Sequence, residues 1–445
     1  MKPATPLAID SSLLQAAADR VTQRCDTMAR HSEMSNFLTR TFCSDAMKTA
    51  HADLKAWMEV AGMNCRLDAV GNLIGEFHST QHSSTTRGSR DVFMIGSHVD
   101  TVFNAGKFDG AMGALLGLGV VEVLKEAQIE LPFDIDVVAF SEEEGVRFGF
   151  PFIGSLGVAG RFYPGDFDRL DQDGVTMRDA LKQFGCNPDD LPSASYRAGA
   201  NNRHLVGFME AHLEQSTRLE QNGSPVGVVS AIAGQTRATI VLAGTAGHAG
   251  TVLHDQRKDA LAAAAKLILD IEELGQTTDG LFATIGSITA SPGLSNVICG
   301  DVNLRLDLRH ESDAVREQAF KTIDLMIREL KRTRGVAGRI HEAGHAPAVP
   351  MDPALSQCLD DAVGEMGSAP ERLVSGAGHD AMIMAQAAPS CMLFVRCRDG
   401  VSHHPDEFVA PEDIHEALKV MTHATIKIAQ THSQQSTTAA STGAT

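Results

Sequence analysis

Nine positions in this chain carry side chains suited to acid–base or metal chemistry and stand where extended apolar segments end. They are His98 and Asp100 in "GSHVDTVFNAGKFDGAMG", the run Glu142-Glu143-Glu144 in "SEEEG", and His212 in "HLEQ", followed by Glu214. A fourth segment leads to His403 and His404 in "GVSHHPDEF", and Asp109 stands just before an apolar helical run. Imidazole and carboxylate donors together suit Zn, Mn or Co. Taken singly, each has an ordinary structural reading: an aspartate before a helix caps it, and an acidic run is a solvated face. Their recurrence at four segment ends is what suggests a shared site. Glycines at 106, 110 and 113 would let the backbone turn tightly around an ion and let a helix approach closely. Successive residues of an extended segment point to opposite sides. Glu143 and Glu144 should therefore differ in role, one a ligand and one a base, though spacing does not say which.

Elements must hold these residues together, and the pattern supplies them. Apolar runs at 92–95 and 133–140, His204–Gln215 and Cys391–Cys397 read as strands; 13–28, 44–61 and 113–124 read as helices. Alternation of the two predicts an α/β layer with a mostly parallel sheet, whose ligands gather beyond the carboxyl ends of the strands. The middle of the chain differs. "PVGVVSAIAG", "TRATIVLAG", a helix over 255–274, "LFATIGSIT", "NVICGDVNLRLDLR" and a helix over 312–332 read as β-β-α-β-β-α. The expectation is a catalytic domain over 1–217 and 333–430, a smaller α+β lid or dimerisation domain inserted at 218–332, and a disordered tail at 431–445. Residues 78–90 read as a mobile polar loop. In "LRLDLR" the alternation places Arg305, Asp307 and Arg309 on one face of a strand, as either a solvated edge or an anion anchor.

The chain has 445 residues, enough for two domains, with 43% hydrophobic and 21% charged residues. A net charge of −18 argues against nucleic-acid or anionic-membrane partners. No apolar run approaches the ~20 residues of a membrane span, and the N-terminus lacks the apolar block of a secretory signal. Eight scattered cysteines without a C-x-x-C pair read as reduced thiols in a cytoplasmic setting.

The ordered set "GSHVDT", "KFDGAMG", "EEEGVRF", "HLEQ", "GHAGT", "SNVI", "DLR", "SGAGHDA" and "GVSHHPDEF" resembles the dinuclear-metal amidohydrolases. That family includes hydrolases of allantoate, ureidoglycolate, N-carbamoyl-L-amino acids and β-ureidopropionate, and shares its fold with aminoacylases and carboxypeptidases. The likeness spans nearly the whole chain. "EEEGVRFGFPFIGSLGVAG", "IAGQTR" and "MLFVRCRDGVSHHP" look most like the allantoate-hydrolysing members. The resemblance implies two divalent ions, Zn or Mn with Co as a further option. His98, Asp109 and His212 would hold one; Asp109, Glu144 and His403 would hold the other. It implies Glu143 as general base, Asp100 as the carboxylate orienting His98, and Gln215, His248, Asn296 and Arg309 as substrate contacts. Glu214 and His379 also fall on family motif positions. A homodimer through the inserted domain, with His248 acting across it, is implied as well. Ser216-Thr217 replaces the family's Gly-Pro and Val252-Leu253 its Pro-Met. The expected substrate is a small ureido acid, allantoate first and an N-carbamoyl-L-amino acid second; a catalytically silent binding protein on the same fold is the alternative of another class.

Overall fold

The computed structural model describes residues 9–81, 89–197 and 202–442. Its strands are β1 (Asn64–Leu67), β2 (Leu73–Phe77), β3 (Arg90–His98), β4 (Asp134–Phe140), β5 (Arg203–Leu213), β6 (Val226–Ile232), β7 (Gly234–Ala243) and β8 (Gly247–His248). They continue with β9 (Phe282–Ser291), β10 (Val297–Ile298), β11 (Asp301–His310), β12 (Ala337–Ala346), β13 (Val349–Pro350), β14 (Arg372–Ser375) and β15 (Ser390–Val395). The chain forms two compact units, one of Met1–Ser230, Met351–Leu373 and His379–Thr445, the other of Ala231–Pro350 and Val374–Gly378.

The first unit is a mixed α/β layer. Its sheet runs β1-β2-β4-β3-β5-β15-β6. The four strands β4, β3, β5 and β15 are mutually parallel, and the outer pairings are antiparallel. β4 is buried along its whole length and β3 along nearly all of it, so both read as apolar runs rather than alternating ones. The buried helix Ala111–Glu126 packs on β3, with the helices Ser11–Met28 and Pro411–Thr442 beyond it. Ser44 caps Asp45–Val60 by accepting from the Met47 N–H, which accounts for the helical reading of 44–61. Because β3, β4, β5 and β15 run the same way, the segments after His98, Phe140, Leu213 and Val395 all leave one edge of the sheet.

The second unit is a four-stranded antiparallel sheet, β12-β7-β11-β9. The helices Ala260–Thr277 and Asp313–Arg334 bury Ala263, Leu267, Ile271, Ile323 and Ile327 against Ile240, Leu242, Val302 and Leu304. Its limits differ from the expected 218–332 at both ends. β6 pairs with β15 in the first unit's sheet, and β12 follows the second helix. Residues 337–346 (AGRIHEAGHA) lack a β-branched run, so the strand shows only through its pairing with β7. Of the tail expected to be disordered at 431–445, the described residues continue the last helix through Thr442, and 443–445 lie outside them. His432 on that helix lies 3.2 Å from buried Asp91 and packs edge-on against Phe133. The expected mobile loop at 78–90 lies outside the described residues at 82–88; His78 and Arg90 on either side both contact Asp134.

Candidate metal centre

His98 is the last residue of β3 and His212 the penultimate residue of β5. Asp109 enters on the loop that precedes Ala111–Glu126, Glu143 and Glu144 follow β4, and His403 comes from the segment after β15. Their donor atoms form three overlapping groups: His98 with Asp109 and His212, His98 with Glu143 and Glu144, and Asp109 with Glu144 and His403. Gly110 permits the approach. Its φ is +64°, and a Cβ there would lie 2.4 Å from the His98 ring.

Proton accounting shows what the cluster can hold. The Nδ1 atoms of His98 and His212 lie 3.1 and 3.2 Å from the carbonyl oxygens of Asp100 and Leu213. A carbonyl only accepts, so each ring donates through Nδ1 and turns the lone pair of Nε2 inward. The two Nε2 atoms are 3.4 Å apart and lie 3.3 and 3.0 Å from Asp109 Oδ1. That buried oxygen has no hydrogen-bond partner. With both rings neutral, three electron-rich atoms face one another without a proton to share, and a divalent cation among them would resolve the conflict. On the other side, His403 Nε2 lies 3.2 Å from Asp109 Oδ2 and 3.4 Å from Glu144 Oε1. Asp109 therefore turns one oxygen to each donor group, the arrangement of a bridging ligand.

The electrostatics ask for positive charge. Burial opposes a charge on His98, yet Asp100 and Asp109 hold it well above the usual imidazole range. The hydrogen bond to Asp109 raises His403 to about 9. Burial would raise Asp109, but His212, His403 and His98 hold it well below the usual carboxylate range. Burial pushes Glu143 well up and Glu144 to about 7. The acidic run is therefore no solvated face, and Glu142 within it is fully buried.

Asp100 meets His98 through both its main-chain oxygen and its carboxylate, and it has a second task. His98 Nδ1 is nearer to the main-chain oxygen of Asp100 than to its carboxylate, which lies 3.4 Å away. That carboxylate accepts the backbone N–H groups of Glu143 and Glu144 at 3.0 and 3.1 Å, tying the loop after β4 to the end of β3. Glu214 lies outside the donor groups: it accepts the N–H groups of Arg218 and Leu219 at the start of the helix Arg218–Asn222. His404 is exposed and accepts the N–H of Asp406. The His379 ring lies 4.4 Å from the His212 ring, tilted at 56° to it, and burial keeps it well below the usual range.

Gln215 donates to Asp109 Oδ2 at 3.2 Å. Gln215 and His403 both have left-handed backbones, at φ +59° and +55°, the kind of strain that collects at functional sites. The sequence reading missed Ser402 and Glu407, which contact Asp109 directly. Both stand in the "GVSHHPDEF" motif, where the two histidines drew attention from the hydroxyl and the acid.

His248, Asn296 and Arg309 belong to the second unit. His248 is exposed on β8, and its Nδ1 accepts the Gly250 N–H, which leaves Nε2–H free to donate. The Asn296 carbonyl accepts from Ala249. Arg309 lies on the outward face of β11, as the alternation predicts. Its fork is already engaged: Nε and Nη2 donate to Asp307 at 2.7 and 2.9 Å, and Nη1 to the Gly376 carbonyl at 2.6 Å.

Comparison with known proteins agrees with this architecture. The profile of peptidase family M20/M25/M40 matches residues 94–427. An N-carbamoyl-L-amino acid amidohydrolase of Geobacillus stearothermophilus is 36% identical over 89% of this chain and 94% of its own. An allantoate deiminase of Arabidopsis thaliana is 35% identical over 89% of this chain and 79% of its own. Among solved structures, an amidase of the hydantoinase/carbamoylase family from Burkholderia multivorans superposes with a TM-score of 0.83 at 30% identity, covering 93% of this chain and 98% of that one.

Proposed function

The chain belongs to peptidase family M20/M25/M40, and from that premise we propose that it is a two-metal amidohydrolase acting on the ureido group of a small carboxylic acid, allantoate first. The observation that carries this reading is the division of Asp109 between the His98/His212 and Glu144/His403 donors. The N/O donor set fits Zn or Mn, with Co a third option. His98, Asp109 and His212 would hold one ion and Asp109, Glu144 and His403 the other. Such ions supply a water of lowered pKa and polarise the carbonyl.

The chain's own groups do the rest. Glu143, raised well above the usual carboxylate range by burial, accepts the proton of the attacking water and returns it to the leaving nitrogen. The C–N bond of the ureido group breaks, and the carbamate so formed decomposes to ammonia and carbon dioxide. Asp100 holds the backbone of Glu143 and Glu144 in place for these two tasks. His248, through Nε2–H, is the proposed donor to the developing oxyanion. Asn296 and Arg309 are the proposed carboxylate contacts, and Gln215 is a further proposed substrate contact. An N-carbamoyl-L-amino acid is the second reading, favoured by the identity to the Geobacillus enzyme. A homodimer through the second unit belongs to the same proposal, and eight free thiols support a reducing, cytoplasmic setting.

A panel decides between these readings. Metal-loaded protein is given allantoate, ureidoglycolate, an N-carbamoyl and an N-acetyl amino acid; ammonia is assayed for the ureido compounds and freed amino acid for the acetyl one. Turnover of allantoate above the others supports the first reading. Preference for the carbamoyl amino acid moves the assignment to the second, and hydrolysis of the acetyl compound alone contradicts both.

A further inference from the structure

Asp109 Oδ2 has a partner that no chemistry above has used. The Ser402 hydroxyl donates to it at 2.7 Å, and the same hydroxyl lies 3.0 Å from Glu407 Oε2. Ser402 has one proton, and the shorter contact assigns it to Asp109. Gln215 Nε2 closes the group, 3.2 Å from both Ser402 Oγ and Asp109 Oδ2. Glu407 is 4% exposed, and among the described residues no basic side chain forms an ion pair with it. Its Oε1 instead accepts two main-chain N–H groups, of Phe108 at 2.8 Å and of Asp109 itself at 3.0 Å. The fold makes room for this carboxylate: at Gly106 a Cβ would lie 2.3 Å from its carboxyl carbon. Glu407 thus grips the backbone of Asp109 while Ser402 grips one of its two oxygens. Asp109 Oδ1 receives no such bond.

We propose that Ser402 and Glu407 are positioning residues for Asp109, and that through Oδ2 they set the affinity of the ion position made with Glu144 and His403 while leaving the His98/His212 position alone. This rests on the reading that the cluster holds two ions. A hydrogen bond to a ligating carboxylate fixes its orientation, and removing such a partner costs 10- to 100-fold in metal affinity. One-sided bonding to a bridging ligand should therefore give two unequal positions.

The test is calorimetric titration of the chelator-stripped full-length chain with Mn2+, with no substrate present. Wild type should take up two ions. Ser402→Ala should weaken one of them by about 10- to 100-fold and leave the other within about threefold. Glu407→Ala should weaken the same ion. Glu407→Gln should restore it, because the amide oxygen still accepts both N–H groups and the amide nitrogen faces Ser402 Oγ. His403→Ala removes a donor from the Oδ2 side. In that background Ser402→Ala should not change the remaining ion, which a general loosening of the loop would not predict. Equal weakening of both ions by Ser402→Ala overturns the proposal. So does an unchanged pair, or a Glu407→Gln variant as weak as Glu407→Ala. A wild-type chain that binds fewer than two ions overturns this proposal together with the two-metal reading. A chain with the expected pattern that hydrolyses nothing in the substrate panel overturns the functional reading alone.

Discussion

The two units treat their charged residues in opposite ways. At the strand ends of the first unit, His98, Asp109 and His212 are between 1% and 4% exposed, and each is fixed by main-chain or side-chain hydrogen bonds. On the open sheet face of the second unit, the side chains of Arg237 and Arg305 are 69% and 68% exposed, and Arg309 is paired with a neighbour two residues away. Charge in the first unit is concentrated, dehydrated and short of cations. Charge in the second is solvated and already neutralised. A buried cluster of this kind is expensive unless something binds it, whereas a solvated pair costs little and contributes little. Loss of one buried donor should therefore be felt in metal binding, and loss of one exposed cation only in recognition.

The largest effect that sharpens this contrast is at the shared carboxylate. Asp109→Asn should lower metal content at both positions and cut kcat/KM by about a thousandfold or more, since ions in such sites supply several kcal/mol of transition-state stabilisation. Elemental analysis beside steady-state assay checks it; a variant that keeps both ions and its activity would break the bridging role.

Next comes the exposed face. Arg309→Lys keeps the charge but loses the planar fork. It should cost about 2–4 kcal/mol, roughly thirty-fold to a thousandfold in kcat/KM on allantoate, with metal content unchanged. The structure adds a condition: Arg309 must exchange Asp307 for the substrate carboxylate, or use Nη1 alone. A variant within twofold of wild type would place the anion contact elsewhere, with Arg305 as the next residue to change.

The smallest effect expected is at Glu214. Glu214→Ala removes the acceptor for the Arg218 and Leu219 N–H groups and should cost about 0.5–2 kcal/mol of stability, as a lost cap does. Thermal unfolding should register it while metal content and kcat stay near wild type. A lost ion would return Glu214 to the ligand set.

How far the sequence spoke differed between the two regions. The strand ends of the first unit were legible because apolar runs mark the strands and the donors follow immediately; parallel strands then leave only one edge for them to share. Alternation in "LRLDLR" was legible for the same reason, a period of two on a half-buried strand. What stayed hidden depends on contacts far apart in sequence. Glu407 reaches Asp109 across 298 positions, and Asp100 reaches the Glu143 N–H across 43. Alternation put Arg305, Asp307 and Arg309 on one face but did not show that Arg309 pairs with Asp307. β12 was hidden by weak composition, and its pairing with β7 reveals it.

The central claim is that the buried cluster binds metal through one set of residues and moves protons through another. Glu143→Gln tests it most directly, with metal content and allantoate turnover measured on the same preparation. The account predicts that both ions remain and that kcat falls by about 10²- to 10⁴-fold, the usual contribution of a positioned acid–base group. Loss of an ion, or full metal content with turnover within a few-fold of wild type, would contradict it.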